Sequence, residues 1–484
     1  NQKIVEIHVF VSFVWYTYIA FILHHFSHTD KVKHENTHTH THTHMPVEIS
    51  HDEKSALMAE ARTLLALPES AKLELALLAG GATGQTFKLE ATIVDAEEGE
   101  ATTVAISSKC YVLRTLRPSR QEDRFLSQCS ETLAKAAIGP KVLAKSDRML
   151  LCEFVAGENA SIKDLCEGAE SLQIKAIATT LGKYHDLPLE SIAEPLRSWS
   201  GDEFSYWLGL IEKTWVGENK IPADFQAVID ANVAQARAYT IELVATASSS
   251  SSAAGEGTNP PTSRFAKMLS TTTVTHGDFH PNNILMKIPN EDAESSYSCV
   301  IVDHEMTKGR PAVFDIAYHF MVLGDMRYSI GWTPSPGEPG PYAPLASRQA
   351  FARHYLSQRL LATAMPRINN LILQQTASGA ETTIDAGAEE AMADGVSVAD
   401  ITEFLFEVEK FVYAERVRLF LIWLLLAGGD PKHMLFGGAQ LYLPRMTIAR
   451  DLLLEAAAGN EELKQEIVRR GIIQTANVDA EAKH

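Results

Sequence analysis

Apolar residues recur at helical spacing from Lys54 to Leu67, and Pro68 ends the run. The pattern then changes. LELALLAGGATGQTFKLEATIV (73–94) predicts two strands joined by a Gly-rich turn, and SKCYVLRTL (108–116) predicts a third strand. The acidic DAEEGEA between them reads as a surface loop. A helix is predicted over 120–139, stopped at Gly139-Pro140, followed by a strand pair over 141–157. From about 170 onward the spacing is mostly helical, with two short strands around 284–287 and 299–303. Three segments break it: the Ser-rich 246–263, the Pro/Gly-rich 331–344 and the loose 376–395. No internal repeat is visible. The plan is a bilobed α+β architecture, with a β-rich N-terminal lobe over 45–157 and a larger helical lobe over 158–484. A cleft between two lobes is a usual place for a ligand.

Composition narrows the function classes. The 484 residues are 45% hydrophobic and 21% charged, an ordinary globular balance. The net charge is -18 and no Lys/Arg run forms a basic stripe, so a nucleic-acid partner is not expected. The acidity suits a cationic or metal-bearing ligand, although most such charges are simply solvated surface. Five dispersed cysteines without a CxxC pair give neither a disulfide framework nor a zinc site, and fit a reducing, cytoplasmic setting. Residues 4–23 are apolar enough to span a bilayer, yet the first Met is Met45, directly after THTHTHTH. A Thr-His alternation is what a CA-dinucleotide repeat encodes. Residues 1–44 are therefore read as a non-native upstream segment, with no membrane partner if the chain starts at Met45; the rival reading is a signal anchor.

The chemistry concentrates in TTTVTHGDFHPNNILMK (271–287), where two His, an Asp and two Asn fall within eight residues after a β-branched run. Such side chains are costly to bury without partners and make sense facing a ligand. His276, Asp278 and Asn283 form H-x-D-x-x-x-x-N, and Asp303 follows twenty residues later behind apolar CVIV. A carboxamide and a carboxylate at the ends of adjacent strands suit hard Mg²⁺, with phosphates completing its shell. The remaining Asp can orient, or take a proton from, an attacking hydroxyl.

In this order and spacing, HGDFHPNNIL, VIVDHE and FDIAYHF resemble the aminoglycoside phosphotransferase–choline/ethanolamine kinase group, which has a protein-kinase-like fold. The resemblance covers about 75–445 and is strongest over 274–320. It implies an ATP- and Mg²⁺-dependent kinase of a small hydroxylated molecule, most of all choline or ethanolamine. Asp278 would be the catalytic base, Asn283 and Asp303 the Mg²⁺ ligands, His276 a buttress of the loop, and Asp315 its support from below. Gly80, Gly81 and Gly84 would cover the phosphates, Arg114 would pair with them, and Glu153 to Val155 would receive adenine through the backbone. The helix partner of Arg114 would be Glu122, Gln128 or Glu131. For the acceptor's cation, Phe420 and Trp423 share a face of the 404–428 helix, and Glu305 or Asp325 would add negative charge. An aromatic pair on so apolar a helix is equally a core feature. Met321 and Val322 stand where choline kinases carry an acid and Trp, and HGD stands where they carry HND. The alternatives are a kinase of a sugar or aminoglycoside-like metabolite, a catalytically silent nucleotide-binding module and, if 1–44 is native, a membrane-anchored scaffold. The resemblance is compatible with a homodimer.

Overall fold

The structure is a computed structural model that describes residues 49–80, 85–95, 105–116, 121–167, 171–197, 203–216, 220–248, 264–287, 297–329, 342–360 and 396–481. The 1–44 segment, Gly81, Gly84 and the 376–395 segment lie outside the described residues, as do 249–263 and 331–341 of the two other predicted breaks. Among the described residues no helix is long and apolar enough to cross a membrane.

The chain divides into two compact units at Ala156/Gly157. The first opens with α1 (His51–Leu64), where the Ser50 hydroxyl caps the first turn by accepting from Glu53 N–H at 3.1 Å. This helix starts and ends three residues before the predicted span, because Ala66 turns left-handed (φ 51°) ahead of Pro68. A five-stranded antiparallel sheet follows, built from β1 (Lys72–Gly80), β2 (Gln85–Asp95), β3 (Ala105–Thr115), β4 (Val142–Lys145) and β5 (Met149–Glu153) in the order β1-β2-β3-β5-β4. Helix α2 (Gln121–Lys135) links β3 to β4. Alternation along the strands puts Phe87, Leu89, Leu113, Met149 and Leu151 on one face, where they bury against Leu57 and Ala61 of α1. Arg114 therefore lies on the opposite face of the sheet, paired across the ladder with Thr86 and Leu150.

The second unit begins with β6 (Gly157–Asn159), α3 (Ile162–Glu167), α4 (Leu172–His185), α5 (Glu203–Thr214), α6 (Ala223–Ser248) and α7 (Arg264–Ser270). Four short strands come next: β7 (Thr272–Thr275), β8 (Ile284–Lys287), β9 (Cys299–Ile301) and β10 (Lys308–Pro311). The helices α8 (Val313–Ser329), α9 (345–360), α10 (Val398–Leu426), α11 (Met434–Ala457), α12 (Glu461–Arg470) and α13 (Ile472–Glu481) complete it. Strands β6, β8 and β9 form one small antiparallel sheet and β7 pairs with β10 in another. The hydrophobic pattern predicts β8 and β9 but not β6, β7 and β10. These are three or four residues long, and β10 carries Gly309 and Pro311 in place of an apolar alternation.

Helix α10 is the axis of this unit. Ser397 and Asp400 close a reciprocal capping box at its start, and it touches α5, α6, α7, α8, α11, α12 and α13 along its length of about 43 Å. A buried ion pair fastens the C-terminal helices to it. Glu409 Oε1 accepts from Tyr342 Oη at 2.7 Å and from Arg348 Nη1 at 3.2 Å, and Oε2 accepts from Ile472 N–H at 3.1 Å. Arg348 also donates to the carbonyls of Ala343 and Arg469. Breaking such a pair from one side leaves an uncompensated buried charge. Glu409→Ala should therefore cost about 3–5 kcal/mol in urea unfolding, while Glu409→Leu combined with Arg348→Met should cost less than either single change. A double variant weaker than both singles would contradict this account of the contact.

Candidate active site

The H-x-D loop spans 276–283, and both of its ends are tied to strands. Thr275 pairs with Lys308 on β10, and Ile284 pairs with Ile301 on β9. Gly277 takes φ +82°, and a Cβ there would come within 2.5 Å of the Met306 carbonyl, so only Gly allows the loop to turn at this point.

Asp315, in the first turn of α8, supports the loop as expected. Its Oδ2 accepts from His276 N–H at 2.7 Å and its Oδ1 from Gly277 N–H at 2.9 Å. His185 Nε2 lies 3.1 Å from Oδ2, and His185 Nδ1 lies 2.8 Å from Tyr355 Oη. Burial alone would raise the Asp315 carboxyl. The hydrogen bond from His185, the nearby His185 and His276 rings and the Gly277 N–H outweigh it and hold the group below its ordinary range. Burial drives His185 down against the pull of Asp315, so the ring is neutral, donating through Nε2–H to Asp315 and accepting the Tyr355 hydroxyl at Nδ1.

His276 is fully buried and acts as a strut. Its Nε2–H donates to the Val302 carbonyl at 2.8 Å, while Nδ1 accepts from Asp278 N–H at 3.2 Å. Val302 N–H in turn donates to the Asn283 carbonyl at 2.9 Å. Asn283 and Asp303 are thereby brought to the ends of neighbouring strands. Asp303 stands in the left-handed region (φ 63°, ψ 59°), a sparsely populated conformation for a residue with a Cβ. Glu305 sits in the same short turn, half-buried.

Asn283 folds back on Asp278. Its Nδ2 donates to the Asp278 carbonyl at 3.0 Å and to Oδ2 at 3.2 Å. The amide is thus oriented with Nδ2 inward, and its Oδ1 takes no hydrogen bond among the described residues. His280 Nε2 is 3.3 Å from the same Oδ2, and the Tyr318 hydroxyl also hydrogen-bonds the Asp278 carboxylate. Burial would raise this carboxyl, but His280, His276 and Tyr318 outweigh it and hold it down at about 2. The side chain keeps 29% exposure, so it is reachable.

Other expected residues are distributed differently. Glu131 forms an ion pair with Lys145 and Gln128 is exposed, so neither serves as the partner of half-buried Arg114. Glu122 falls in the first turn of α2, but its side chain lies outside what is described. Glu153 N–H donates to the Lys141 carbonyl at 2.8 Å and its Oε1 accepts from Lys141 N–H, which removes that N–H from adenine recognition. Val155 lies in the link 154–156 between β5 and β6, outside either ladder. Gly80 closes β1, paired with Gln85. Phe420 is 1% exposed and packs on Phe225 of α6, so it is a core residue with no face for a ligand. Trp423 is half-buried, edge-on to Tyr442 of α11, with a buried Nε1–H that finds no acceptor among the described residues. Asp325 lies on α8, ten residues beyond Asp315. The motif reading missed His185, Tyr318 and His319. The signal for Tyr318 was its spacing, three residues from Asp315 on one helix.

Burial takes His319 down to about 3, reinforced by His280 and resisted by the Phe279 carbonyl. His185 is shifted the same way. Both depressed groups contribute stability in full above the unfolded histidine value of about 6.5 and lose it as pH falls below, because only the unfolded chain then takes up the protons. His319 adds a slope of about 1.4 kcal/mol per pH unit in that window, and His185 adds to it in the same direction. The unfolding free energy should fall as pH drops from about 6.5 toward 4, and His319→Phe should flatten that limb by one proton's worth. An unchanged slope in His319→Phe would show that this ring is not held neutral.

A sequence profile described as choline/ethanolamine kinase matches residues 75–428. Among solved structures, the chain resembles an ethanolamine kinase of Plasmodium vivax at 17% identity, over 81% of this chain and 86% of that one, with a TM-score of 0.43. It also resembles a choline kinase of Cryptosporidium parvum at 14% identity, over 88% and 99%, with a TM-score of 0.45. A choline kinase of Streptococcus pneumoniae aligns at 11% identity over 82% and 99%, with a TM-score of 0.38. A search of the curated proteins finds no match. With the profile covering most of its length, the chain belongs to the choline/ethanolamine kinase family and is a small-molecule kinase.

Proposed function

We propose that the protein transfers the γ-phosphoryl group of ATP, with Mg²⁺, to the hydroxyl of choline or ethanolamine. The observation that carries this reading is the joined geometry of Asp278, Asn283 and Asp303, within the span matched by the family profile. In the reaction, the acceptor oxygen forms a bond to the γ-phosphorus. The bond from that phosphorus to the bridging oxygen breaks, and ADP leaves with the electron pair. The hydroxyl proton passes to Asp278 and on to solvent. A carboxyl held at about 2 is a weak base, so Asp278 chiefly aligns the hydroxyl and accepts its proton late, as suits a loose transition state.

The donor set fits Mg²⁺. Among the described residues no group of three or more His, Cys, Asp or Glu could hold a metal ion. One carboxylate and one amide oxygen, Asp303 and Asn283, match an ion that takes few protein ligands and fills its shell with phosphates and water. When bound, Mg²⁺ would neutralise phosphate charge. Glu305 and Asp325 are the carboxylates proposed for the acceptor's cation, and Trp423 the remaining aromatic. Buried Met321 and Val322, standing where choline kinases have an acid and Trp, favour a second reading: another hydroxylated metabolite handled by the same loop.

Two variants separate the roles. Asp278→Ala should lower kcat by about 10²–10⁴-fold with MgATP affinity retained, whereas Asp303→Ala should weaken MgATP binding in calorimetry. Near-normal turnover by Asp278→Ala, or unchanged MgATP affinity in Asp303→Ala, would count against the assignment. Trp423→Ala should raise KM for the amino alcohol by roughly 2- to 30-fold, the size of one cation–π contact, and leave KM for ATP alone. A loss of melting temperature with both KM values unmoved would make Trp423 a packing residue.

A further inference from the structure

His280 is 1% exposed, yet the reaction outlined above gives it no part. Its backbone is extended (φ -142°, ψ 165°) and it precedes the short turn Pro281–Asn283. Pro281 presets the first dihedral of that turn, and Asn283 N–H closes it on the His280 carbonyl at 2.9 Å. The turn carries Asn283 back to Asp278 and leaves the His280 ring against the same carboxylate, with Nε2 3.3 Å from Oδ2.

The hydrogens can be counted. Asn283 Nδ2 carries two and faces three positions, the Asp278 carbonyl at 3.0 Å, His280 Nε2 at 3.1 Å and Asp278 Oδ2 at 3.2 Å; the two Asp278 oxygens accept them when Nε2 carries its own proton. A bare Nε2 on His280 would aim its lone pair at a carboxylate oxygen; Nε2–H instead donates to it. Tyr318 supplies a third donor to this carboxylate from α8. Asp315 and Tyr318 are spaced i, i+3, so one face of one helix holds both the loop backbone and its Asp. An ionised carboxylate accepts about four hydrogen bonds. His280, Asn283 and Tyr318 fill three of those places, and about one is left for a hydroxyl.

We infer that His280 and Tyr318 are positioning residues that lock the Asp278 carboxylate in one rotamer, with Oδ2 turned into the protein and the remaining lone pair left for the acceptor hydroxyl. The inference rests on the reading of Asp278 as the group that receives that hydroxyl. Its benefit is entropic: the carboxylate is ordered before the acceptor arrives and loses no freedom in the transition state.

The test joins kinetics to a spectroscopic readout, using the full chain with MgATP, choline and ethanolamine. His280→Ala should lower kcat by about 10²-fold, the cost of misplacing a reacting group by about 1 Å, with KM for MgATP moved less than about threefold. Tyr318→Phe should lower kcat in the same sense. His280→Gln, which keeps an N–H donor near the Nε2 position, should recover most of the loss. Adding His280→Ala to Asp278→Ala should cost nothing more, because the ring acts through that carboxylate. Equal losses in His280→Ala and His280→Gln, a multiplicative loss in the double variant, or wild-type kcat in Tyr318→Phe would overturn the clamp. In ¹⁵N-histidine-labelled protein at fixed neutral pH, with His280 assigned through His280→Gln, Nε2 should be the protonated nitrogen and its shift should move in Asp278→Ala. A bare Nε2, or a shift indifferent to Asp278, would overturn it as well. This arm needs no acceptor. If the wild type phosphorylates neither amino alcohol, the acceptor reading falls while the imidazole spectrum still decides the clamp.

Discussion

The carboxylate of Asp315 accepts the N–H groups of His276 and Gly277 and faces the His185 ring, all inside the protein. Two backbone donors buried beside an apolar helix would otherwise each cost about 1–3 kcal/mol unpaired. With them satisfied, Gly277 can hold its positive φ, His276 can reach the Val302 carbonyl, and Asp303 follows at a fixed point of the chain. The loop's geometry is thus set from beneath by one side chain, itself ionised because its donors outweigh the cost of burial. The functional side chains inherit their positions. Asn283 is pinned through the Val302 ladder bond and Asp278 through Asn283.

Much of this was legible from residue order. A cluster of His, Asp and Asn after a β-branched run has no cheap burial, so the sequence marks the loop without needing the fold. The hairpin of the first unit was equally plain, since alternation and a Gly-rich turn are local signals. What escaped was whatever depends on pairing between distant segments. Strands β7 and β10 are defined only by each other, and Gly309 and Pro311 hide the second of them. Glu131 looked available to Arg114 until the fold set Lys145 beside it. Within the stretch Glu153 to Val155, read as the adenine contact, the Glu153 N–H is bonded to the Lys141 carbonyl. On α10, apolar residues surround the axis, so spacing alone could not say which aromatic faces inward. Phe420 is buried against Phe225, while Trp423 keeps a partly open ring and an indole N–H with no acceptor among the described residues.

The buried histidines show a second layer that a motif scan passes over. His185, His276 and His319 each have a fixed hydrogen-bond or packing task around the loop, and burial keeps His185 and His319 neutral at physiological pH. Neutral rings can serve as directional donors without adding charge next to a site that must hold phosphates. His280 belongs to the same layer but touches the carboxylate itself. The chain's acidity, -18 overall, points the same way as the proposed cationic acceptor, although charge of that kind acts on encounter and solubility more than on turnover.

The central claim is that this loop moves phosphate from ATP to an amino alcohol. The most direct measurement is a ³¹P NMR time course of the purified chain with ATP, Mg²⁺ and an equimolar panel of choline, ethanolamine, glycerol and an aminoglycoside. The account predicts a growing phosphomonoester signal matching phosphocholine or phosphoethanolamine, in step with ADP. A phosphomonoester formed only on glycerol or the aminoglycoside, or ADP and inorganic phosphate with no ester, would contradict it.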